Sequence, residues 1–310
     1  MLPDPSAVLA GHRRAVARAL TAVENGAGEA LVDALYPHTG RAWRIGMTGP
    51  PGAGKSTLTD RLVSRFRAAG QTVAIVAVDP SSPFTGGALL GDRVRLADRV
   101  GDDGVFMRSL AARGAPGGLS EAAEAACDVF DAAGFDVVLL ETVGVGQGEL
   151  DVAEAADTVL VVLVPEAGDA VQAMKAGLME IAHVFAVNKA DHPEAGRMAR
   201  ALRQALHLRA ASPDGWAVPV AQTSALEGNG LDALGDALAA HRAHLAPSWE
   251  VLREARLRRR VRRLVESAWS RRFWTVARRD ALAREIAALD PSARTPHRLA
   301  ERVLSEAGLA

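Results

Sequence analysis

From Trp43 to about residue 245, apolar runs of β type alternate with segments whose apolar residues recur at helical spacing. The runs are 44–48, 72–78, 105–108, 135–140, 158–164, 184–187 and 217–221. Several are unbroken Val/Ile/Leu stretches, the pattern of parallel strands buried on both faces. After the first run, Leu58, Leu62, Phe66 and Ala69 keep a helical period that stops at Gly70. Residues 120–133 read as a helix ending at Gly134, and 170–181 as another. This alternation predicts an α/β fold: a doubly wound, mostly parallel sheet with helices on both faces and ligands at the carboxyl ends of its strands.

The flanks follow a helical pattern only. In residues 1–40, Val8, Ala15, Val16, Leu20 and Val23 form an apolar stripe beside Arg13, Arg14 and Arg18, as in a helix lying on a larger body. Asn25-Gly26 interrupts it, and 30–35 form a second short helix. Pro247-Ser248-Trp249 marks the other boundary. Beyond it Leu257, Val261, Leu264, Val265 and Ala268 repeat at helical spacing among Arg256, Arg258, Arg259, Arg260, Arg262 and Arg263. Two more helical pieces follow, the last with Thr295 as N-cap and Pro296 at the first helical position. Trp269, Phe273 and Trp274 are large apolar groups in an extension that cannot build its own core, so we read it as a dimerisation arm. The expected organisation is an N-terminal helical extension (1–40), an α/β domain (41–245) and a C-terminal helical arm (246–310).

Composition narrows the function classes. Lys plus Arg (36) balance Asp plus Glu (37) for a formal net charge of -1, without the global basicity of a nucleic-acid-binding chain. One cysteine, Cys127, excludes an internal disulfide framework and a multi-cysteine metal site. Its neighbours Ala123, Ala126, Val129 and Phe130 make it buried filler. No basic region followed by an apolar run opens the chain, and no apolar stretch has bilayer-spanning length. The expectation is a soluble, cytoplasmic protein with neither nucleic acid nor membrane as partner.

Chemistry concentrates at the strand ends. Gly49-Pro50-Pro51-Gly52-Ala53-Gly54-Lys55-Ser56-Thr57 matches G-x-x-x-x-G-K-[ST] between a strand and a helix, the context that motif requires. Its backbone N–H groups and the helix N-terminus suit phosphate; Lys55 is placed to reach the β- and γ-phosphates and the Ser56 hydroxyl to ligate Mg²⁺. Asp79 ends the second run ahead of a Ser/Pro/Gly-rich loop read as a switch, and Asp92 follows as a further carboxylate for Mg²⁺; a turn cap and a surface charge are their plainer roles. Glu141 ends the fourth run, in the position that commonly holds Mg²⁺ through Asp. Gly144 would present its N–H to a γ-phosphate. Val145 rather than Gln follows it, so Gln147 orients water only if the loop rearranges, and slow intrinsic hydrolysis is expected. Lys55, Glu141 and Gln147 are the candidate catalytic residues.

Asn188-Lys189-Ala190-Asp191 completes the set. The Asp191 carboxylate suits the two donors of guanine, which adenine lacks; Lys189 would cover the base and Asn188 brace the loops. Ser224, Ala225 and Leu226 would supply N–H groups to the guanine oxygen. In the loop 165–169, Asp169 is read either as a helix cap or as part of a mobile segment with Gln172 and Lys175.

These residues resemble the MeaB/ArgK family of P-loop GTPases. The resemblance rests on GPPGAGKST at 49–57, VDPSSPFTGGALLGDR at 78–93, ETVGVGQ at 141–147, GDAVQAMKAGLMEIA at 168–182 and NKAD at 188–191. It implies a homodimeric P-loop NTPase that hydrolyses GTP to GDP, with Mg²⁺ near Ser56, Asp79, Asp92 and Glu141. It further implies docking on an adenosylcobalamin-dependent acyl-CoA mutase, such as methylmalonyl-CoA mutase, to gate cofactor loading and protect the enzyme. The chain departs from the family pattern at Glu166, where Gly is usual, and at Gly148, where Ser is common. Two other readings are a metallochaperone GTPase, for which His183 and His192 lack ligand-like spacing, and an ATP-dependent kinase or transport accessory, which Asp191 argues against.

Overall fold

The structure is a computed structural model that describes residues 2–80, 101–112, 118–142, 148–165, 177–208, 214–291 and 294–309. Among these residues seven strands form one parallel sheet: β1 (Trp43–Thr48), β2 (Val73–Pro80), β3 (Val105–Ala112), β4 (Val137–Thr142), β5 (Thr158–Leu163), β6 (Val184–Val187) and β7 (Val220–Gln222). Their order is β3-β2-β4-β1-β5-β6-β7. Connections run to one side of β1 as far as β3 and to the other as far as β7, so the crevice opens at the carboxyl end of β1. β3 extends beyond the expected 105–108 because all its residues pair with β2. β7 starts three residues later than the apolar run at 217, pairing with β6 only from Val220.

Period-two alternation sorts each strand onto two faces. In β2, Ala74, Val76 and Val78 meet α1 (Pro5–Leu9), α2 (Arg13–Glu24), α3 (Glu29–Leu35) and α5 (Gly118–Ala132) in one buried cluster. Val73 and Ile75 face a second cluster with α4 (Lys55–Ala68) and α9 (Leu231–Leu245). A third cluster joins β5 and β6 to α7 (Leu178–Ile181) and α8 (Ala195–Leu208). The stripe Val8, Val16, Leu20 and Val23 is thus core, and the N-terminal helices belong to the same compact unit as the sheet. α6 (Gly148–Ala155) links β4 to β5. No helix among the described residues is long and apolar enough to cross a membrane.

Polar groups bind the sheet rim opposite the crevice. Asp131 accepts N–H bonds from Gly40, Arg41 and Ala42 at 2.7, 3.0 and 3.0 Å. Arg44 donates to Asp128 at 2.8 Å. Burial alone would weaken that cation, but Asp128 beside it reverses the effect and raises its pKa above the guanidinium range. Asp157 accepts from the Arg44 N–H at 2.8 Å and pairs with Arg256, whose own pKa burial and the Arg44 charge push down to about 10. Burial drives the Cys127 thiol up to about 12, consistent with inert filler.

Two compact units divide the chain, Met1–Arg256 and Leu257–Ala310, and the boundary falls inside α10 (Trp249–Phe273). The second holds the rest of α10 with α11 (Val276–Ala288) and α12 (Pro296–Glu306). The Thr275 hydroxyl caps α11 by accepting from the Arg278 N–H at 3.2 Å. Thr295 occupies the N-cap of α12 without a side-chain capping bond. Val303 alone is buried there among the described residues, while Val265 (61 %) and Trp269 (58 %) stay exposed.

Candidate functional site

Backbone geometry explains the glycines that begin and end the 49–54 loop. Gly49 sits at φ +137°, and a Cβ there would lie 2.0 Å from the Val162 carbonyl oxygen of β5. Gly54 sits at φ +82° at the N-cap of α4, where a Cβ would come within 2.5 Å of Asn188 Nδ2. Side chains are excluded at both points, so the loop lies close over β5 and β6 before entering α4. A loop that enters a helix N-terminus in this way presents N–H groups to an anion.

Lys55 is buried, and its ammonium donates to the Gly49 and Pro50 carbonyls at 2.8 and 3.0 Å. One residue on, the Ser56 hydroxyl donates to Glu141 Oε1 at 2.5 Å, and Thr59 Oγ1 lies 3.0 Å from Glu141 Oε2. Glu141 is buried near the end of β4, whose register with β1 sets it beside Met47. Hydroxyl and carboxylate oxygens placed together at a helix N-terminus are hard donors that suit Mg²⁺, which takes one or two carboxylates and fills its remaining positions with phosphate and water. Asp79 lies near the carboxyl end of β2, on the same rim, in register with Ala111 of β3; its side chain falls outside what the structure describes. Asp92, Gly144, Gln147 and the segment carrying Glu166, Asp169, Gln172 and Lys175 lie outside the described residues.

Asn188 is the hub of the site. Its Nδ2 donates to the Ala53 carbonyl at 2.9 Å. Its Oδ1 accepts from Thr223 Oγ1 at 3.2 Å and from the Ala225 N–H at 3.1 Å. One buried amide therefore ties the 49–54 loop to the loops after β6 and β7. Lys189 adopts φ +55°, the one non-glycine residue described with positive φ, and turns the chain at this point. Asp191 is exposed, with Oδ1 accepting from the Ser224 hydroxyl at 3.0 Å. A left-handed lysine and a carboxylate held by a neighbouring hydroxyl concentrate strain and polarity at one strand end, a common trait of binding sites.

Two residues escaped the sequence reading. Arg61 of α4 donates to the Ala225 and Leu226 carbonyls at 2.8 and 3.0 Å, fastening the 223–226 loop from beneath. Thr59 lies one turn after Ser56 on the same helix face, a spacing that could have flagged it. Arg61 carries no such mark, because its partners are backbone carbonyls distant in sequence.

Comparison with known proteins agrees with this geometry. The family model described as methylmalonyl Co-A mutase-associated GTPase MeaB matches residues 16–278. A putative GTPase of Pyrococcus abyssi is 48% identical over 260 residues, covering 83% of this chain and 78% of that protein. The fused isobutyryl-CoA mutase of Cupriavidus metallidurans contains a segment 43% identical over 190 residues, covering 59% of this chain and 17% of that protein. A crystal structure described as LAO/AO transport system kinase superposes with a TM-score of 0.77 at 26% identity, covering 98% of this chain and 96% of that one.

Proposed function

Because the chain belongs to the MeaB family of GTPases, we propose that it is a GTP-hydrolysing chaperone of an adenosylcobalamin-dependent acyl-CoA mutase, gating cofactor loading and protecting or reactivating that enzyme. For the nucleotide, the observation that carries the reading is the Asn188 hub, which joins a phosphate-binding loop to two loops suited to guanine. For the partner, it is the related segment inside a fused isobutyryl-CoA mutase, where module and mutase share one chain.

In this reading residues 49–57 wrap the phosphates, and Lys55 exchanges the Gly49 and Pro50 carbonyls for β- and γ-phosphate oxygens. Ser56 and Glu141 hold Mg²⁺, with Asp79 and Asp92 as its further carboxylates. Held by these residues, Mg²⁺ would supply positive charge to offset the negative charge that develops during phosphoryl transfer to water. Gly144 belongs to the loop that senses the γ-phosphate, and Gln147 of the same loop orients the attacking water only after that loop rearranges. Asp191 accepts the ring N–H and exocyclic amine of guanine, Lys189 covers the base, and Ser224, Ala225 and Leu226 face its oxygen. Discrimination against adenine follows because a carboxylate left without its two donors is costly. The product is GDP, formed slowly by the chain alone and faster once the mutase completes the site.

The arm joins two copies into a homodimer, and the exposed Val265 and Trp269 of α10 are the motive for that assignment. Light scattering after size exclusion tests both associations. The chain, 32.5 kDa alone, should elute at twice its mass and co-elute with the mutase in the presence of a non-hydrolysable GTP analogue. A monomer that never co-elutes contradicts the proposal.

A further inference from the structure

We propose that Thr59 is a positioning residue that fixes the metal-side carboxylate of Glu141, compensating for a glutamate where aspartate is commoner. The inference rests on the reading of Glu141 as an Mg²⁺ ligand. Glutamate carries one more torsion than aspartate, so holding its carboxylate in one orientation costs more side-chain entropy. In this site both of its oxygens are held by hydroxyls of a single helix face: Ser56 on Oε1 at 2.5 Å and Thr59 on Oε2 at 3.0 Å. The two donors are three residues apart on α4, neighbours on the helix surface.

The Thr59 hydroxyl has one proton and three acceptors within reach: Glu141 Oε2, the Lys55 carbonyl at 3.0 Å and Met47 Sδ at 3.3 Å. A charged carboxylate outcompetes a neutral carbonyl and a thioether for that proton, because hydrogen bonds to ionised groups are roughly twice as strong. Thr59 is also 1% exposed, so water does not substitute for it. An ordinary mid-helix threonine bonds only the carbonyl four residues back, and that contact is present as well. The assignment therefore turns on which acceptor matters, and Mg²⁺ dependence separates them.

The test uses the full chain loaded with a fluorescent GDP analogue and follows its release across an Mg²⁺ series and in EDTA. Thr59→Val keeps the shape of the side chain and removes the hydroxyl. It should raise the Mg²⁺ concentration for half-maximal retention about ten-fold, the low end of the loss expected when a residue supporting a metal ligand is removed. Release in EDTA should stay at the wild-type rate, and Thr59→Ser should restore the wild-type Mg²⁺ dependence. If the valine variant does not fold, Thr59→Ala gives the same comparison. An unchanged Mg²⁺ half-point, or an equal acceleration in EDTA, overturns the proposal. Glu141→Gln serves as control: if it also leaves the Mg²⁺ dependence intact, the metal reading itself fails, whereas a shift in Glu141→Gln without one in Thr59→Val defeats only the role given to Thr59.

Discussion

Removing the Asn188 amide should cripple nucleotide binding while leaving the fold intact. Asn188→Ala deletes three hydrogen bonds, to the Ala53 carbonyl, Thr223 Oγ1 and the Ala225 N–H, at 2.9, 3.2 and 3.1 Å. The side chain is 3% exposed, so little water is at hand to replace them. Neutral hydrogen bonds contribute about 1 kcal/mol each, and the one to Thr223 is long, which puts the loss of pre-organisation at about 2–3 kcal/mol. Affinity for GDP should then fall about 30- to 150-fold, at 1.4 kcal/mol per decade. Fluorescence titration with a labelled GDP measures this, and the loss should be equal in Mg²⁺ and EDTA because none of the amide's three partners belongs to the residues assigned to Mg²⁺. Asn188→Asp keeps Oδ1 but sets an oxygen against the Ala53 carbonyl, so it should bind no better than the alanine variant. A fall of less than about three-fold, with an unchanged melting temperature, would refute the idea that one amide couples the three loops.

Two further outcomes concern Asp191 and His241. Asp191→Asn should abolish the preference for GTP over ATP by turning one acceptor into a donor, and competition binding with both nucleotides reads it directly; a retained preference sinks the guanine assignment. At the opposite rim, His241 is fully buried, with Nδ1 2.9 Å from Thr158 Oγ1 and its ring stacked 4.3 Å from His183. Burial, then the neighbouring His183 and His244, push its pKa down to about 3 from the ordinary 6.5, against a smaller opposing effect of Asp214. It stays neutral in the fold, whereas the unfolded chain takes up a proton below 6.5. Its contribution to stability is therefore intact above pH 6.5 and is lost as pH falls toward 3, by up to about 1.4 kcal/mol per pH unit. Urea unfolding between pH 7 and 5 should show this slope in the wild type and a flatter one in His241→Leu; parallel slopes exclude His241 as the source.

What could be read from sequence was set by how local the signal is. Buried parallel strands announce themselves as apolar runs, and the loop at 49–57 lies wholly within one strand–turn–helix segment, so both were legible. The strand order, with β4 inserted between β1 and β2, depends on pairings between residues some 60 to 95 positions apart, such as Trp43 with Val137 and Val73 with Val137. No periodicity encodes that. Asn188 and Asp191 stood out as part of a short motif, but the partners of Asn188 did not, because Ala53 and Ala225 meet it only after folding. Arg61 and Thr59 were missed for related reasons: one holds backbone carbonyls of a distant loop, and the other looks like any helix threonine until Glu141 arrives beside it. The N-terminal stripe was legible as amphipathic, yet the Asp131 cap on residues 40–42, which holds that segment to the sheet rim, was not.

The central claim is that a mutase completes this GTPase. Steady-state GTP hydrolysis, measured on the chain alone and then with a purified adenosylcobalamin-dependent acyl-CoA mutase, tests it most directly. The basal rate should be slow and should rise steeply with the mutase, toward the roughly 10³- to 10⁵-fold range that a partner completing such a site can supply. A mutase that changes neither the rate nor the affinity for guanine nucleotide would contradict it.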